Sequence, residues 1–165
     1  RQEIESKANQ LVQHFRSKDM GYDFPFITGE DIQKVWKTRK AGLGLLSNIP
    51  GDSKPVAVIE DTSVHPEKLP EYIKEFKSVL DKYGLQCVFF AHIATGELHL
   101  RPLLNLKDPE HVVLFRKLGN EIAHLVKKYN GSLSGEHGDG RLRGEFIPVI
   151  IGESNHKLLR EIKST

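Results

Sequence analysis

Apolar residues recur along this chain with two different periods, and the changes from one period to the other mark its elements. Over 1–18, Ile4, Ala8, Leu11, Val12 and Phe15 fall at helical spacing, which predicts an amphipathic helix with a single buried stripe. Thr28, with Asp31 three positions on, marks a second helix start, and Ile32, Val35 and Trp36 supply its apolar face. The stretch SNIPGDSKP at 47–55 reads as loop. Val56 to Ile59 then reads as a buried strand. Pro66 opens a helix in which Leu69, Tyr72, Ile73, Phe76, Val79, Leu80 and Tyr83 keep period until Gly84 stops it. Cys87 to Leu104 alternates on both sides of Thr95-Gly96 and predicts a hairpin. Asp108-Pro109 starts another helix, with Val112, Phe115, Leu118, Ile122, Leu125 and Val126 inside, and Asn130-Gly131 ends it before a short strand at Ser132–Ser134. The order β-α-β-β-α-β predicts an α+β fold: a ferredoxin-like (split βαβ) antiparallel sheet with helices packed on one face, flanked by N- and C-terminal helices. An apolar run at 146–151 and a short helix over 155–162 complete the chain.

The hairpin carries the first chemical expectation. With Thr95 and Gly96 as the loop, His92 stands opposite His99, and opposed residues share a face with Cβ atoms roughly 4.5–5.5 Å apart. That register puts Val88, Phe90, His92, His99 and Arg101 on one face and Phe89, Ala91, Ile93, Leu98 and Leu100 on the core side. Two imidazoles projecting side by side are half a metal site. They also suit a hydrogen-bonded pair of sheet histidines, and spacing leaves both readings open. The helices occupy one face of such a sheet, so the histidine face is free for a ligand unless the first two helices cover it.

Beyond the last strand, SGEHGDGRLRGEF has glycine at 135, 138, 140 and 144, a backbone that bends sharply or lets something approach closely. Glu136 is the candidate third ligand, since its strand runs close to the hairpin. His137, pointing elsewhere, stays free as a proton acceptor. Arg39 falls one turn after Val35, either at a pocket or in solvent. Two further classes fit the same residues: a non-catalytic ligand- or protein-binding module using a basic loop (Arg141, Arg143), and a hydrolytic metalloenzyme. The latter needs a second carboxylate, and the hairpin register turns the nearest, Glu97, away.

Composition narrows the classes. In 165 residues, 24 basic and 22 acidic side chains leave a formal charge of +2, which gives no bulk electrostatic case for nucleic acid or an anionic membrane. One cysteine, Cys87, excludes an internal disulfide and fits packing in a reducing compartment, so the expected location is cytoplasmic. No apolar run is long enough for a bilayer, so the chain is not expected to be transmembrane. Length suits one domain, and a start at Arg1 inside a helical pattern is expected of a piece of a longer protein.

The segments VWKTRKAGLGLL, KPVAVIEDTSVHPEKLPEYI, AHIATGELHLRP and SGEHGDGRLRGEF resemble the C-terminal cap domain of FAD-linked oxidases of the D-lactate, glycolate and D-2-hydroxyglutarate dehydrogenase type. The resemblance implies oxidation of a 2-hydroxy acid to a 2-oxo acid. It makes His92, His99 and Glu136 ligands of a divalent metal, zinc or manganese, and His137 the active-site base. It makes Arg39 a holder of the substrate carboxylate and places Arg101 where relatives have a substrate-contacting side chain. FAD is then bound by another domain of the same chain, without which residues 1–165 are expected to be inactive. GLGLL and HLRP resemble members fused to iron-sulfur modules, which implies such an electron acceptor and allows a peripheral place at a membrane through it. One departure stands out: many relatives carry a Gly-Asp-Gly-Asn type turn between the two histidines, where this chain has Ala94-Thr95-Gly96-Glu97.

Overall fold

A computed structural model describes residues 2–165. The chain divides into two compact units, Arg1–Leu43 and Gly44–Thr165. In the first, helix α1 (Gln2–Ser17) has Glu3 and Glu5 in its first turn and His14 and Arg16 in its last, charges that complement the helix dipole. Its apolar stripe is not buried as expected. Ile4 and Leu11 are exposed, and Phe15 instead stacks on Phe24 with ring planes 7° apart. Helical period reports that a face is apolar; it says nothing of what covers that face. Helix α2 (Asp31–Ser47) runs on through two glycines into the second unit, and Ile32, Val35 and Trp36 on it are also exposed.

The second unit is built on strand β4 (Glu97–Leu104). One edge of β4 pairs antiparallel with β3 (Cys87–His92), from Cys87 opposite Pro102 to His92 opposite Glu97. The other edge pairs with two short strands, β1 (Lys54–Pro55) and β2 (Thr62–Ser63). The expected continuous strand at Val56–Ile59 is therefore broken. From Pro55 to Thr62 the chain advances seven positions while β4 runs back five, from Leu103 to Leu98. The two extra residues form a bulge. It buries Val58 and Ile59 and ends at Asp61 with φ +70°.

The hairpin bend is also longer than expected. Ile93–Thr95 form a single 3-10 turn, and Gly96 closes it at φ +74°, packed so tightly that a Cβ there would drive into the Val64 carbonyl oxygen. His92 therefore faces Glu97, and Phe90 faces His99. The register moves by two positions, and an even shift leaves His92, His99 and Arg101 on their expected face. Phe89 and Ile93, expected inside, are exposed because β3 is the sheet edge and Ile93 lies in the turn. Cys87 packs against the core, and burial pushes its thiol up to about 12.

Helix α3 (Leu69–Lys82) follows a 3-10 turn at Pro66–Lys68, and α4 (Pro109–Lys128) is capped by the Asp108 side chain, which accepts from the Glu110 N–H. Tyr72, Phe76 and Leu80 of α3, Leu118, Ile122 and Val126 of α4, and Leu98, Leu100 and Leu104 of β4 share one buried cluster. Val112, expected on the inner side of α4, is exposed. The last strand of the expected split βαβ sheet is reduced to a single bridge, Ser132 to Ser63, because the chain turns away at once into the glycine-rich segment. That segment is partly helical: α5 (Gly140–Arg143) and a 3-10 turn lead into α6 (Ile147–Ile151) and α7 (Glu153–Ser164). Among the described residues no helix is long and apolar enough to cross a membrane.

Candidate metal centre

Strand alternation turns Glu97, His99 and Arg101 of β4 to the side away from Leu98 and Leu100, and His92 and Phe90 of β3 to the same side. The hairpin thus supplies three of the groups at the site. The fourth comes from the segment after Ser132, and Asp61 holds it in place. The Asp61 carboxylate accepts from Ser134 Oγ at 2.5 Å, from the Glu136 N–H at 2.9 Å and from the His137 N–H at 2.9 Å, while its carbonyl accepts from the Gly135 N–H at 2.7 Å. Burial pushes the Asp61 carboxyl up, but these bonds, with one from Glu97, outweigh it and bring it to about 2. Asp61 is fully buried and acts as the clamp that sets Glu136 and His137 against the sheet.

The result is a cluster in which His92, Glu97, His99 and Glu136 each offer one ligand atom, all within 4.8 Å of one another. Glu136 Oε1 is 3.9 Å from His92 Nε2, 3.7 Å from His99 Nε2 and 3.0 Å from His137 Nε2. His99 and Glu97 form the floor, with side chains 5% and 11% exposed, while His92, Glu136 and His137 form a rim open at 44–50%. His99 is stacked between Phe90 and His137, at 4.8 and 5.5 Å between ring centres. His137 therefore does not point elsewhere: it joins the cluster through Nε2 and turns Nδ1 toward Asp61, 3.9 Å away.

Arg101 lies on the same side with Nη2 2.5 Å from Glu60 Oε1. Arg39 is on α2 in the first unit. Glu97, expected to face away, stands inside the site, because it shares its strand face with His99 and Arg101 whatever the register. Arg143, a candidate surface cation, is buried and donates to the carbonyls of Glu60, Leu133 and Gly138, so it braces the loop. Glu60 and Asp61 had no sequence signal beyond being two acids that end an apolar run.

The whole of this arrangement lies in a chain whose residues 1–165 match the family described as FAD linked oxidases, C-terminal domain. The chain belongs to that family. Its relatives include D-2-hydroxyglutarate dehydrogenase of Pseudomonas putida, 39% identical over 155 residues that cover 92% of this chain and 15% of the relative. The enzyme of the same name from Escherichia coli is 40% identical over 133 residues, 81% of this chain and 13% of the relative. The mitochondrial D-lactate dehydrogenase [cytochrome] of Arabidopsis thaliana is 29% identical over 161 residues, covering 96% and 28%. The chain thus spans under a third of the length of each.

The donors of this FAD-linked oxidase C-terminal domain fit a divalent cation. Two imidazole nitrogens and two carboxylates are a donor set for zinc, manganese or iron. Burial pushes the His99 imidazole below its usual range, which favours the neutral, ligating form. Burial, the hydrogen bond with Asp61 and the Glu136 charge all push the Glu97 carboxyl up. One polar atom of the floor that faces the cluster, Glu97 Oε1, is buried without a hydrogen-bond partner, and such an atom is costly unless something binds it. His99 Nδ1 faces Glu60 Oε1 at 3.6 Å, the kind of carboxylate that orients a ligating imidazole. A hollow of about 710 Å³ along α7, lined by residues from Glu153 to Ser164, shares no residue with the cluster.

Proposed function

We propose that this chain is the substrate- and metal-binding cap of an FAD-dependent dehydrogenase that oxidises a 2-hydroxy acid to a 2-oxo acid. The observation that carries the reading is the convergence of His92, His99 and Glu136 on one point with His137 Nε2 3.0 Å from Glu136 Oε1. The names of the relatives, D-2-hydroxyglutarate and D-lactate dehydrogenases, support the substrate class.

His92, His99 and Glu136 would hold a divalent cation, zinc or manganese. When bound, it supplies positive charge that lowers the pKa of the substrate hydroxyl. His137 receives that proton at Nε2, because Nδ1 is turned away toward Asp61. Asp61 fixes the backbone of residues 136 and 137, so base and ligand keep one spacing. The Arg101 guanidinium and Arg39, assigned through the resemblance of its WKTR helix, hold the substrate carboxylate. FAD, held by another domain of the whole protein, is the oxidant, and no residue described here is assigned to its chemistry. Its re-oxidation is assigned to an iron-sulfur module or another acceptor.

Elemental analysis of the purified chain tests the metal half. Wild type should carry about one divalent cation per chain after loading, and His92→Ala, His99→Ala and Glu136→Ala should each lose it. The catalytic half is tested in the full-length enzyme, where His137→Ala should depress kcat for D-2-hydroxy acids by about 10²–10⁴-fold. Full activity in the Glu136→Ala or His137→Ala enzyme refutes the proposal.

A further inference from the structure

We infer that Glu97 is a fourth protein ligand of the cation, which makes the site a two-imidazole, two-carboxylate centre suited to a six-coordinate ion. The inference rests on the metal-binding reading above and concerns a residue outside its three-ligand set.

Three independent features place Glu97 there. Its backbone is pinned on both sides, facing His92 across β3 and Ser63 across β2, so the side chain starts from a fixed point at the centre of the sheet. Its carboxylate is tucked under Gly135, where a Cβ would come within 3.0 Å of Glu97 Cγ and 3.2 Å of Glu97 Cδ; the glycine next to Glu136 leaves room for it. And Oε1 is buried with no hydrogen-bond partner, 3.7 Å from His99 Nε2 and within 4.8 Å of the ligand atoms of His92 and Glu136. A carboxylate that served only to hydrogen-bond Asp61 has no reason to leave its other oxygen dry and aimed at two imidazoles.

The ligand count has a chemical consequence. Four protein donors close a tetrahedral ion, whereas a six-coordinate ion keeps two positions for a hydroxyl and a carboxylate oxygen of a 2-hydroxy acid. Carboxylate-rich sets with open positions suit Mn²⁺. Two carboxylates also balance the charge of a divalent ion.

Glu97→Gln separates coordination from packing. The amide keeps the shape and an N–H for Asp61, but unlike the carboxyl it cannot give up that proton and become an anionic ligand when the cation binds. Mn²⁺ binding to the 165-residue chain, followed by the loss of the free-ion paramagnetic resonance signal, should weaken by about tenfold or more in Glu97→Gln. Its thermal unfolding midpoint without metal should match wild type. Unchanged Mn²⁺ affinity in Glu97→Gln, beside loss of binding in His99→Ala, overturns the fourth ligand and leaves the three-ligand reading standing. Absence of Mn²⁺ binding in wild type overturns both. If Glu97→Gln melts early, Glu97→Asp decides: its retracted carboxylate keeps the charge, and wild-type Mn²⁺ affinity there overturns the inference.

Discussion

Strand β4 is walled by two different interiors. On one side Leu98, Leu100 and Leu104 meet α3 and α4 in a closed apolar cluster. On the other, Glu97 and His99 are as deeply covered, yet each leaves a polar atom without a partner. The first side is stable because burial removes apolar area from water and fills space. The second side costs stability, since desolvated polar atoms repay nothing until something binds them. One strand therefore separates the part of the domain that holds the fold from the part that holds the chemistry.

The sharpest way to break that contrast is to mutate neighbouring positions on opposite sides. Leu100→Ala should destabilise by about 2–5 kcal/mol, through lost transfer energy and the cavity left behind. His99→Phe keeps the ring between Phe90 and His137 while removing the unpartnered nitrogen. It should leave stability unchanged or raise it by up to about 1 kcal/mol, while abolishing cation binding. Denaturant unfolding of both variants without metal checks the pair. Equal losses would mean that His99 is a core residue like Leu100, and the division of β4 would fall.

Asp61 joins the two sides and comes next in size. Asp61→Asn presents an amide where two N–H groups and a hydroxyl now donate, which should cost about 1–3 kcal/mol. The native carboxyl sits at about 2, below its ordinary 3.8. Its contribution is therefore complete above pH 3.8 and lost as pH falls toward 2. Thermal melts across that window should show a falling midpoint in wild type and a flatter one in Asp61→Asn.

These differences were unequally legible in the amino-acid order. Helices α3 and α4 could be read because each is bracketed by chain-specific punctuation, Pro66 with Gly84 and Asp108-Pro109 with Asn130-Gly131. The face shared by His92 and His99 could be read because strand parity survives an even shift of register, even though the bend itself was misjudged. The bulge at 56–61 could not, since VAVIED alternates too little to reveal two surplus residues; those residues are fixed by the pairing of β4 with both β1 and β2. With the bulge went the clamp at Asp61 and the salt bridge from Glu60 to Arg101. Glu97 was legible and was misassigned: two positions before His99 on one strand, it has the same parity and faces the same side in either register.

The smallest expected change in stability tests the division from the loop side. A methyl at Gly135 would meet Glu97 Cγ at 3.0 Å, Glu97 Cδ at 3.2 Å and Asp61 Oδ1 at 3.3 Å. These are atoms of side chains, which give way more easily than backbone, so Gly135→Ala should cost about 1 kcal/mol, the low end for overpacking. The displaced carboxylate, however, is the one tucked beneath the cluster. Cation affinity should therefore fall further than stability does, by about tenfold, and restoring space with the double variant Gly135→Ala, Glu97→Asp should recover stability more fully than affinity. Parallel losses in unfolding and in Mn²⁺ titration would instead make the glycine a packing residue with no bearing on the site.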